Sequence, residues 1–344
     1  EYLSHWYIPA VRELAARRDF RDDAKWIAAT LRPSVSAREA SHAMKVLLSL
    51  GLLSGTPERF ANSPSSAAYL VAGAEGDARA IYLGWLRNRE QLVEAIRTGA
   101  PRELAESQKF PWSPALYPSV CRTSGGVIDA SHAALDDGAA AAIASGFHHA
   151  HDDHGEGFCT FNGLVVAAEH LRHAGRARNI AILDLDLHYG NGTAQLAGSR
   201  PWLRALSLYG NDYVNNTPYR DVTQRRHQDG ANHRSIPLPA GCGREQMLGL
   251  TESSLPWLWE GEPPDLLLYQ AGADPFREDP YSPLDLGIED LRARDALVFR
   301  TALRMGTPVA WVLAGGYAPD LSKVVEIHVN TFRAWFDENA RPRS

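Results

Sequence analysis

The chain has 344 residues, of which 44% are hydrophobic and 22% charged, and its formal net charge is −6. These values predict a folded protein of one or two domains, and the acidic balance argues against a molecule covered by a nucleic-acid-binding surface. Three dispersed cysteines outside any CxxC pair, and the lack of an apolar run of roughly 20 residues, favour a cytoplasmic protein over a disulfide-stapled or membrane-spanning one.

The first 60 residues predict three helices, because apolar residues recur at helical spacing over residues 7–14, 26–31 and 40–53. Residues 34–39 offer capping side chains ahead of the third helix, and a polar turn over residues 60–64 precedes a YLV segment. This order resembles a winged helix, and residues 50–99 resemble the winged-helix dimerisation region of small-molecule methyltransferases. We interpret residues 1–92 as a winged-helix-like module that serves as a scaffold or homodimer interface in preference to binding DNA.

From about residue 120 the pattern changes to short apolar runs that alternate with helical stretches. The runs cover residues 180–185, 203–208, 265–269 and 309–313, and the helical stretches include 162–174 and 290–305. An alanine-rich run over residues 139–144 also predicts a helix. Buried strands that alternate with helices predict an α/β fold with a parallel sheet, whose ligands collect at the carboxyl ends of the strands.

Two carboxylates and an imidazole follow the first of these strands. Asp184, Asp186 and His188 alternate along an extended segment and therefore point to one side. Carboxylates at a buried strand end repel each other unless a cation joins them. A solvated edge strand is the alternative, but the flanking isoleucines and leucines argue against exposure. Asp274 follows another strand, and one His with two Asp leaves the open position that is typical of catalytic zinc.

Two further elements carry groups suited to acyl transfer. The adjacent residues His148 and His149 are a weak signal alone, since such pairs are often exposed. Beside a metal, histidine is the natural general base because its pKa lies near neutrality. Tyr317 ends an LAGGY segment, where a tyrosine is usually a packed turn residue. Beside a metal it can donate a hydrogen bond to an oxyanion.

The segments HHA…GFCTFN, LDLDLHYGNGT, QAGADP and LAGGY, in this order, resemble the zinc-dependent histone deacetylase superfamily, which includes acetoin-utilisation and acetylpolyamine deacetylases. The similarity covers roughly residues 92–340 and is greatest to the bacterial class IV-type branch. It implies an arginase/deacetylase-like parallel sheet with helices on both faces over residues 93–344. We find no counterpart of the opening strand and RFP or RHP loop of that family, and the winged-helix-like module stands in their place.

The resemblance also implies a role for each polar residue. His149 would be the general base that deprotonates a zinc-bound water and then protonates the leaving amine, with His148 as its electrostatic partner. Asp184 and Asn191 would orient His148 and His149, respectively. Tyr317 would polarise the acyl carbonyl and stabilise the oxyanion. The zinc ligands would be Asp186, His188 and Asp274.

Further binding groups follow from the same resemblance. Gly157 and Phe158 would line the tunnel that receives the acyl group. A potassium ion would lie near the zinc, bound by the Asp184 carboxylate, the Ser207 hydroxyl and main-chain oxygens. Those main-chain oxygens would belong to Asp184, Asp186, His188 and Leu208.

Together these features predict a zinc-dependent amidohydrolase that removes an acyl group, in the simplest case acetyl, from an acylated lysine, polyamine or small amine. The second hypothesis is a catalytically weak, metal-binding regulatory protein. Retention of His148, His149 and Tyr317 favours the enzyme, because binding alone does not need them. An arginase-like ureohydrolase is the third. It is disfavoured because its D-x-H-x-D motif bridges two manganese ions, whereas the D-x-D-x-H order here fits one metal in the site.

Overall fold

The computed structural model describes residues 90–212 and 229–341 throughout and, before them, residues 7, 10, 11, 14, 21, 23–31, 35–49, 53–54, 61–62 and 69–71. Contacts within the chain define two compact units, Glu1–Ala72 and Gly73–Ser344, which we describe separately. Our boundary after residue 92 stays a prediction. Among the helices in the described ranges, none combines the length and apolar character needed to cross a membrane.

The first unit contains helices whose apolar faces are buried. Residues 7, 10, 11 and 14 are helical, and two further helices are α1 (Ala24–Thr30) and α2 (Ala37–Ser49). Ser36 and Glu39 cap α2 reciprocally, since Ser36 N–H donates to Glu39 Oε2 (2.8 Å) and Glu39 N–H donates to Ser36 Oγ (3.2 Å). The core of this unit contains Tyr7, Val11, Leu14, Ile27, Ala28, Leu31, Ala40, Ala43, Met44, Val46 and Leu47.

Short strands follow these helices. β1 (Leu53–Ser54) and β2 (Ala61–Asn62) pair antiparallel, and β3 is Tyr69–Val71. The predicted extension of the third helix to residue 53 is wrong, because Leu53 pairs with Asn62 in the β1–β2 ladder. In the predicted turn over residues 60–64, residues 61–62 belong to β2 and the others lie outside the described residues. The winged-helix interpretation stays a prediction.

The second unit alternates helices and strands. Its elements are, in chain order, α3 (Glu90–Thr98), α4 (Arg102–Ala105), α5 (Leu116–Asp137), β4 (Ala139–Ser145), α6 (Gly163–His173), β5 (Ile180–Asp184), α7 (Asn191–Gly198), β6 (Leu203–Tyr209), β7 (His233–Pro237), α8 (Arg244–Ser254), a 3-10 helix (Leu255–Trp259), β8 (Leu266–Ala271), α9 (Ile288–Met305), β9 (Val309–Leu313) and α10 (Leu321–Asn339).

Within this unit six strands form one parallel sheet in the order β4–β9–β8–β5–β6–β7. β5 lies between β8 and β6, so that Asp184 is in register with Gln270 on one side and with Ser207 on the other. The polar end of β5 therefore lies within the sheet and not at its margin, and the predicted burial of this strand is confirmed.

Helices cover both faces of the sheet. Successive side chains on a strand point to opposite faces, and on one face Ile182 and Leu268 share a core with residues of α5 and α6. On the other face Tyr269 and Trp311 pack edge-on against Phe299 of α9. This arrangement confirms the predicted α/β fold, and the strands predicted after residue 150 occur within two residues of their predicted bounds.

The helix predicted over the alanine-rich run is wrong, because this run forms strand β4. Alanine has the highest intrinsic helix propensity, yet β4 pairs in parallel with β9 from Ala139 opposite Val309 to Ala142 opposite Val312. Alanines 139–142 are all fully buried. Sheet hydrogen bonds and burial against α5 therefore outweigh the local preference.

Candidate active site

The polar residues predicted from the sequence lie at one edge of the sheet. Strands β4, β5, β8 and β9 end there, and the segments after them carry the histidine pair 148–149, residues 186–191, Asp274 and Tyr317. Because the carboxyl ends of parallel strands share one edge, residues distant in sequence meet in space.

Asp186, His188 and Asp274 form a buried group that could hold a metal ion, and their ligand atoms all lie within 4.8 Å of one another. His188 Nδ1 lies 3.0 Å from Asp274 Oδ2 and 3.3 Å from Asp186 Oδ1. Burial lowers the pKa of His188, but the two carboxylates outweigh burial and raise this pKa to about 10. Burial and the neighbouring Asp186 raise the pKa of Asp274 to about 7. The two carboxylates stabilise a positive charge at the point where the three side chains converge, so this donor set fits a divalent cation.

Backbone N–H groups fix the two carboxylates. Leu187 N–H donates to Asp274 Oδ1 (2.9 Å), and Gly315 N–H donates to Asp186 Oδ2 (2.8 Å). A Cβ atom at Gly315 would lie 2.1 Å from Asp274 Oδ2, so this close approach requires glycine. The LAGGY segment therefore shapes the candidate metal-binding group through its backbone.

Arg294, which the sequence analysis missed, supports the same strand ends. Its buried guanidinium donates from Nη1 to the carbonyl oxygens of Leu185 (3.0 Å) and Gly272 (2.8 Å), and it forms an ion pair with Asp295. Leu185 immediately precedes Asp186 in the chain. No sequence pattern indicated this role, because Arg294 lies in an amphipathic helix that carries several arginines.

Each histidine of the pair is held by a different partner. His148 Nδ1 lies 2.7 Å from Asp184 Oδ2. Burial lowers the pKa of His148, but nearby carboxylates, led by Asp184, raise it to about 9. His149 Nδ1 lies 2.7 Å from Asn191 Oδ1, and the two imidazole rings are 4.0 Å apart. Burial and the neighbouring histidines hold the pKa of His149 well below its usual value.

Asn191 is itself held by a carboxylate that the sequence analysis missed. Its Nδ2 donates to Glu156 Oε2 (2.6 Å) and lies 3.1 Å from His151 Nε2. The histidine pair is thus linked through one amide to a charged cluster on the loop after β4. A signal was present in the sequence, since residues 151–156 contain two histidines and three carboxylates.

Tyr317 presents an exposed phenol on a fixed backbone. Its N–H donates to Asp279 Oδ2 (2.7 Å), and its ring lies edge-on to that of Tyr281, with centroids 5.5 Å apart. Its ring centroid is 6.3 Å from that of His188. Partial burial, together with nearby carboxylates led by Asp274, raises the pKa of Tyr317, so the phenol stays protonated. Asp279 and Tyr281 were not predicted, because they lie in a loop without a motif.

Gly157 and Phe158 form a turn with left-handed backbone at both positions, with φ of 53° and 63°. Phe158 N–H donates to the carbonyl of Gln108 (2.8 Å), and its exposed ring lies 5.1 Å from that of Phe110. The turn therefore presents apolar surface directly before the buried Cys159.

The hydroxyl of Ser207 is one of the groups predicted to bind potassium. This hydroxyl is buried and has no hydrogen-bond partner among the described residues. Ser207 lies in register with Asp184 of the neighbouring strand. A buried, unpartnered hydroxyl beside a carboxylate fits a hard cation with oxygen ligands.

The fold and the side chains described above show an α/β protein with a candidate metal-binding site at the carboxyl ends of its strands. A profile described as the histone deacetylase domain matches residues 79–332. The match covers well over half of the chain, so the chain belongs to the histone deacetylase family. Residues 1–79 match a domain of unknown function, DUF4423.

Named relatives agree with this assignment. Histone deacetylase 2 of Arabidopsis thaliana is 29% identical, over 61% of this chain and 52% of the relative. Acetylpolyamine amidohydrolase 1 of Pseudomonas aeruginosa is 30% identical, over 53% of this chain and 51% of the relative. The chain therefore spans about half the length of these two proteins. The crystal structure of acetylpolyamine aminohydrolase from Burkholderia pseudomallei shares the fold, with a TM-score of 0.61 and 19% identity over 88% of this chain and 91% of that one.

Proposed function

We propose that this protein is a zinc-dependent deacylase that hydrolyses the amide bond of an acylated amine, with acetyl as the simplest acyl group. The observation that carries the proposal is the buried group of Asp186, His188 and Asp274 beside the histidine pair, with ring centroids of His149 and His188 5.9 Å apart. Membership of the histone deacetylase family supports the reaction class.

Asp186, His188 and Asp274 would hold the zinc ion. Carboxylate oxygens and an imidazole nitrogen are ligands that zinc accepts, and three protein ligands leave a coordination position open. When bound, zinc would act as a Lewis acid on the amide carbonyl and lower the pKa of the attacking water. A two-metal, arginase-like site is disfavoured, because the buried metal-binding group among the described residues contains Asp186, His188 and Asp274 but not Asp184, which holds His148 instead.

His149 would move the protons. Its Nδ1–H donates to Asn191 Oδ1, which orients the ring and makes Nε2 the nitrogen that accepts a proton from the attacking water. The same nitrogen would then protonate the leaving amine. His148, held by Asp184, would stabilise the negative charge that develops nearby. Because Asn191 is uncharged, it stabilises the imidazolium of His149 less than an aspartate would.

Tyr317 would donate a hydrogen bond to the carbonyl oxygen as that atom becomes an oxyanion. The hydrogen bond from its N–H to Asp279 supports this role, because it fixes the backbone that carries the phenol. Gly157 and Phe158 would line the path of the acyl chain, with their left-handed turn presenting the Phe158 ring.

A potassium ion would lie close to the zinc ligands. The unpartnered hydroxyl of Ser207 and the carboxylate of Asp184 would supply two of its oxygen ligands. Main-chain oxygens would supply the others, from Asp184, Asp186, His188 and Leu208.

The substrate would be an acylated primary amine. The names of the relatives point to an acylated lysine or an acylated polyamine, and both end in the same acylated aminoalkyl group. A small acylated amine has this group too. Which of these three substrates is preferred depends on the residues around the entrance of the site, so a panel of substrates is required.

Metal analysis of the purified chain, combined with hydrolysis of an acetyl-lysine peptide and an acetylpolyamine, tests the proposal. Asp186→Ala and Asp274→Ala should each lose zinc and turnover. Tyr317→Phe should keep zinc but lose roughly a hundredfold or more in turnover. Tyr281→Phe, which alters the neighbouring phenol, is the matched control and should retain most activity.

Full activity with stoichiometric zinc in either aspartate variant would refute the ligand assignment, and a near-wild-type rate in Tyr317→Phe would refute the role of the phenol. A wild-type chain that binds zinc but hydrolyses no member of the panel would favour the metal-binding regulatory alternative.

A further inference from the structure

A second group of metal-ligating side chains lies outside the site described above. His151, His154 and Glu156 place their ligand atoms within 4.8 Å of one another on the loop after β4. We call this group the rim cluster. Its side chains are 14%, 43% and 34% exposed, respectively, whereas those of the group around His188 are buried. An ion from solution can therefore reach the rim cluster directly.

Both imidazoles of the rim cluster have a fixed tautomer. His151 Nδ1 lies 3.0 Å from Gln195 Oε1, and His154 Nδ1 lies 2.7 Å from Asp153 Oδ1. The N–H of Asp152 also donates to Gln195 Oε1, which identifies that atom as an acceptor. Since both partners accept, each ring carries its hydrogen on Nδ1. Metal-ligating histidines are held in this way, with the outer nitrogen donating to an oxygen and the other facing the ion.

Two inner atoms of the rim cluster, His151 Nε2 and Glu156 Oε2, face each other as acceptors. With Nδ1 protonated, His151 Nε2 has a lone pair directed at Glu156 Oε2, 3.1 Å away. Asn191 Nδ2 lies within hydrogen-bond distance of both atoms, at 3.1 and 2.6 Å. The amide can donate to both acceptors, and a positive charge between them would stabilise the pair further. A proton can supply it: burial lowers the pKa of His151, but the bond to Glu156 outweighs burial and raises it. A cation can replace that proton.

We propose that His151, His154 and Glu156 bind a second divalent transition metal of the zinc class, through two imidazole nitrogens and one carboxylate. This donor set suits Zn²⁺ and leaves a position for water. Because its side chains are partly exposed, the site exchanges its ion more readily than the buried group does. The binding proposal does not rest on the deacylase function.

An ion bound to the rim cluster would also affect the histidine pair His148 and His149. Glu156 accepts a hydrogen bond from Asn191, whose Oδ1 accepts one from His149. An ion that draws on the Glu156 carboxylate weakens its hold on Asn191 and so changes how firmly His149 is oriented. This consequence does rest on the proposed function, and it predicts that zinc added beyond the first equivalent changes the rate of hydrolysis.

Titration of Zn²⁺ alone into the metal-free full-length chain, against a chromophoric chelator, tests the binding proposal. Wild type should bind two ions, and His154→Gln should weaken the second by at least about tenfold. Glu156→Gln, a second variant with a different side chain, should do the same. His173→Gln, which alters an exposed histidine on α6, should retain both ions.

Asp186→Ala separates the two sites. It should lose the tight ion yet still bind one Zn²⁺, and adding His154→Gln should remove that ion. Cobalt bound to Asp186→Ala should show visible absorption that disappears in the double variant. If Asp186→Ala binds no metal while its circular dichroism matches wild type, or if His154→Gln and Glu156→Gln bind two ions with unchanged affinities, the proposal is wrong. Neither readout depends on turnover, so failure of the deacylase function would be seen separately.

Discussion

Replacing Arg294 by methionine tests how this buried arginine supports the strand ends that carry the candidate metal-binding group. The guanidinium donates to the carbonyl oxygens of Leu185 and Gly272 and pairs with Asp295 at 2.9 Å, and both charged side chains are buried. Methionine fills a similar volume but supplies no donor. Arg294→Met therefore leaves two carbonyl groups without this donor and a buried carboxylate without its cation.

The magnitude follows from these contacts. Breaking a buried ion pair by removing one partner costs about 3–5 kcal/mol, because the remaining charge is uncompensated. Each carbonyl that loses its partner adds about 1 kcal/mol. Asp295 keeps hydrogen bonds from the hydroxyls of Tyr269 (2.5 Å) and Thr331 (2.7 Å), which offset part of the loss. We expect the free energy of unfolding to fall by about 4 kcal/mol.

Urea unfolding followed by tryptophan fluorescence measures the change. Arg292→Met alters a partly exposed arginine on the same helix, paired with Asp337, and should cost less than about 1 kcal/mol. Arg294→Met combined with Asp295→Asn removes the unpaired charge and should recover about half of the loss. If Arg294→Met cost no more than Arg292→Met, Arg294 would not support the strand ends. Zinc affinity should fall in Arg294→Met but not in Arg292→Met, because Leu185 positions the neighbouring Asp186.

Asn191→Asp should lower the free energy of unfolding by about 2 kcal/mol, because a carboxylate would replace the amide donor 2.6 Å from Glu156 Oε2. Adding Glu156→Gln should restore at least half of the lost free energy of unfolding. If the effects of the two substitutions on urea unfolding simply added, the proposed repulsion between residues 191 and 156 would be contradicted. Acidification from about pH 7.5 to about pH 5 should destabilise wild type by about 2 kcal/mol more than His328→Phe. Burial lowers the pKa of His328 to about 4, so below about pH 6.5 the unfolded chain takes up a proton that the folded chain does not. If the urea midpoints of wild type and His328→Phe depended equally on pH, this explanation would be refuted. Deleting residues 1–60 should change the oligomeric state in light scattering while zinc content is retained. A monomer with and without the segment would argue against a homodimer interface. Loss of zinc on deletion would show that the two predicted domains depend on each other and form one unit.

Local pattern predicted the parts of the fold that depend on neighbouring residues. The shared edge of parallel strands suffices to bring Asp186 and His188, which follow β5, towards Asp274. The role of Arg294 could not be predicted in this way, because one of its carbonyl partners lies 109 positions away. Glu156 contacts Asn191 across 35 positions, through a loop whose path depends on tertiary packing. For β4, the local preference of alanine for helix was misleading, because pairing with β9 decides the structure.

The order of the carboxylates in the D-x-D-x-H segment separates two tasks. Asp184 has one oxygen engaged by His148 and the other by the N–H of Asp186, so it orients a histidine. Asp186 and Asp274 each have one oxygen fixed by a backbone N–H, from Gly315 and Leu187, and the other directed at His188. The order of the motif therefore places one carboxylate beside His148 and the next in the candidate metal-binding group.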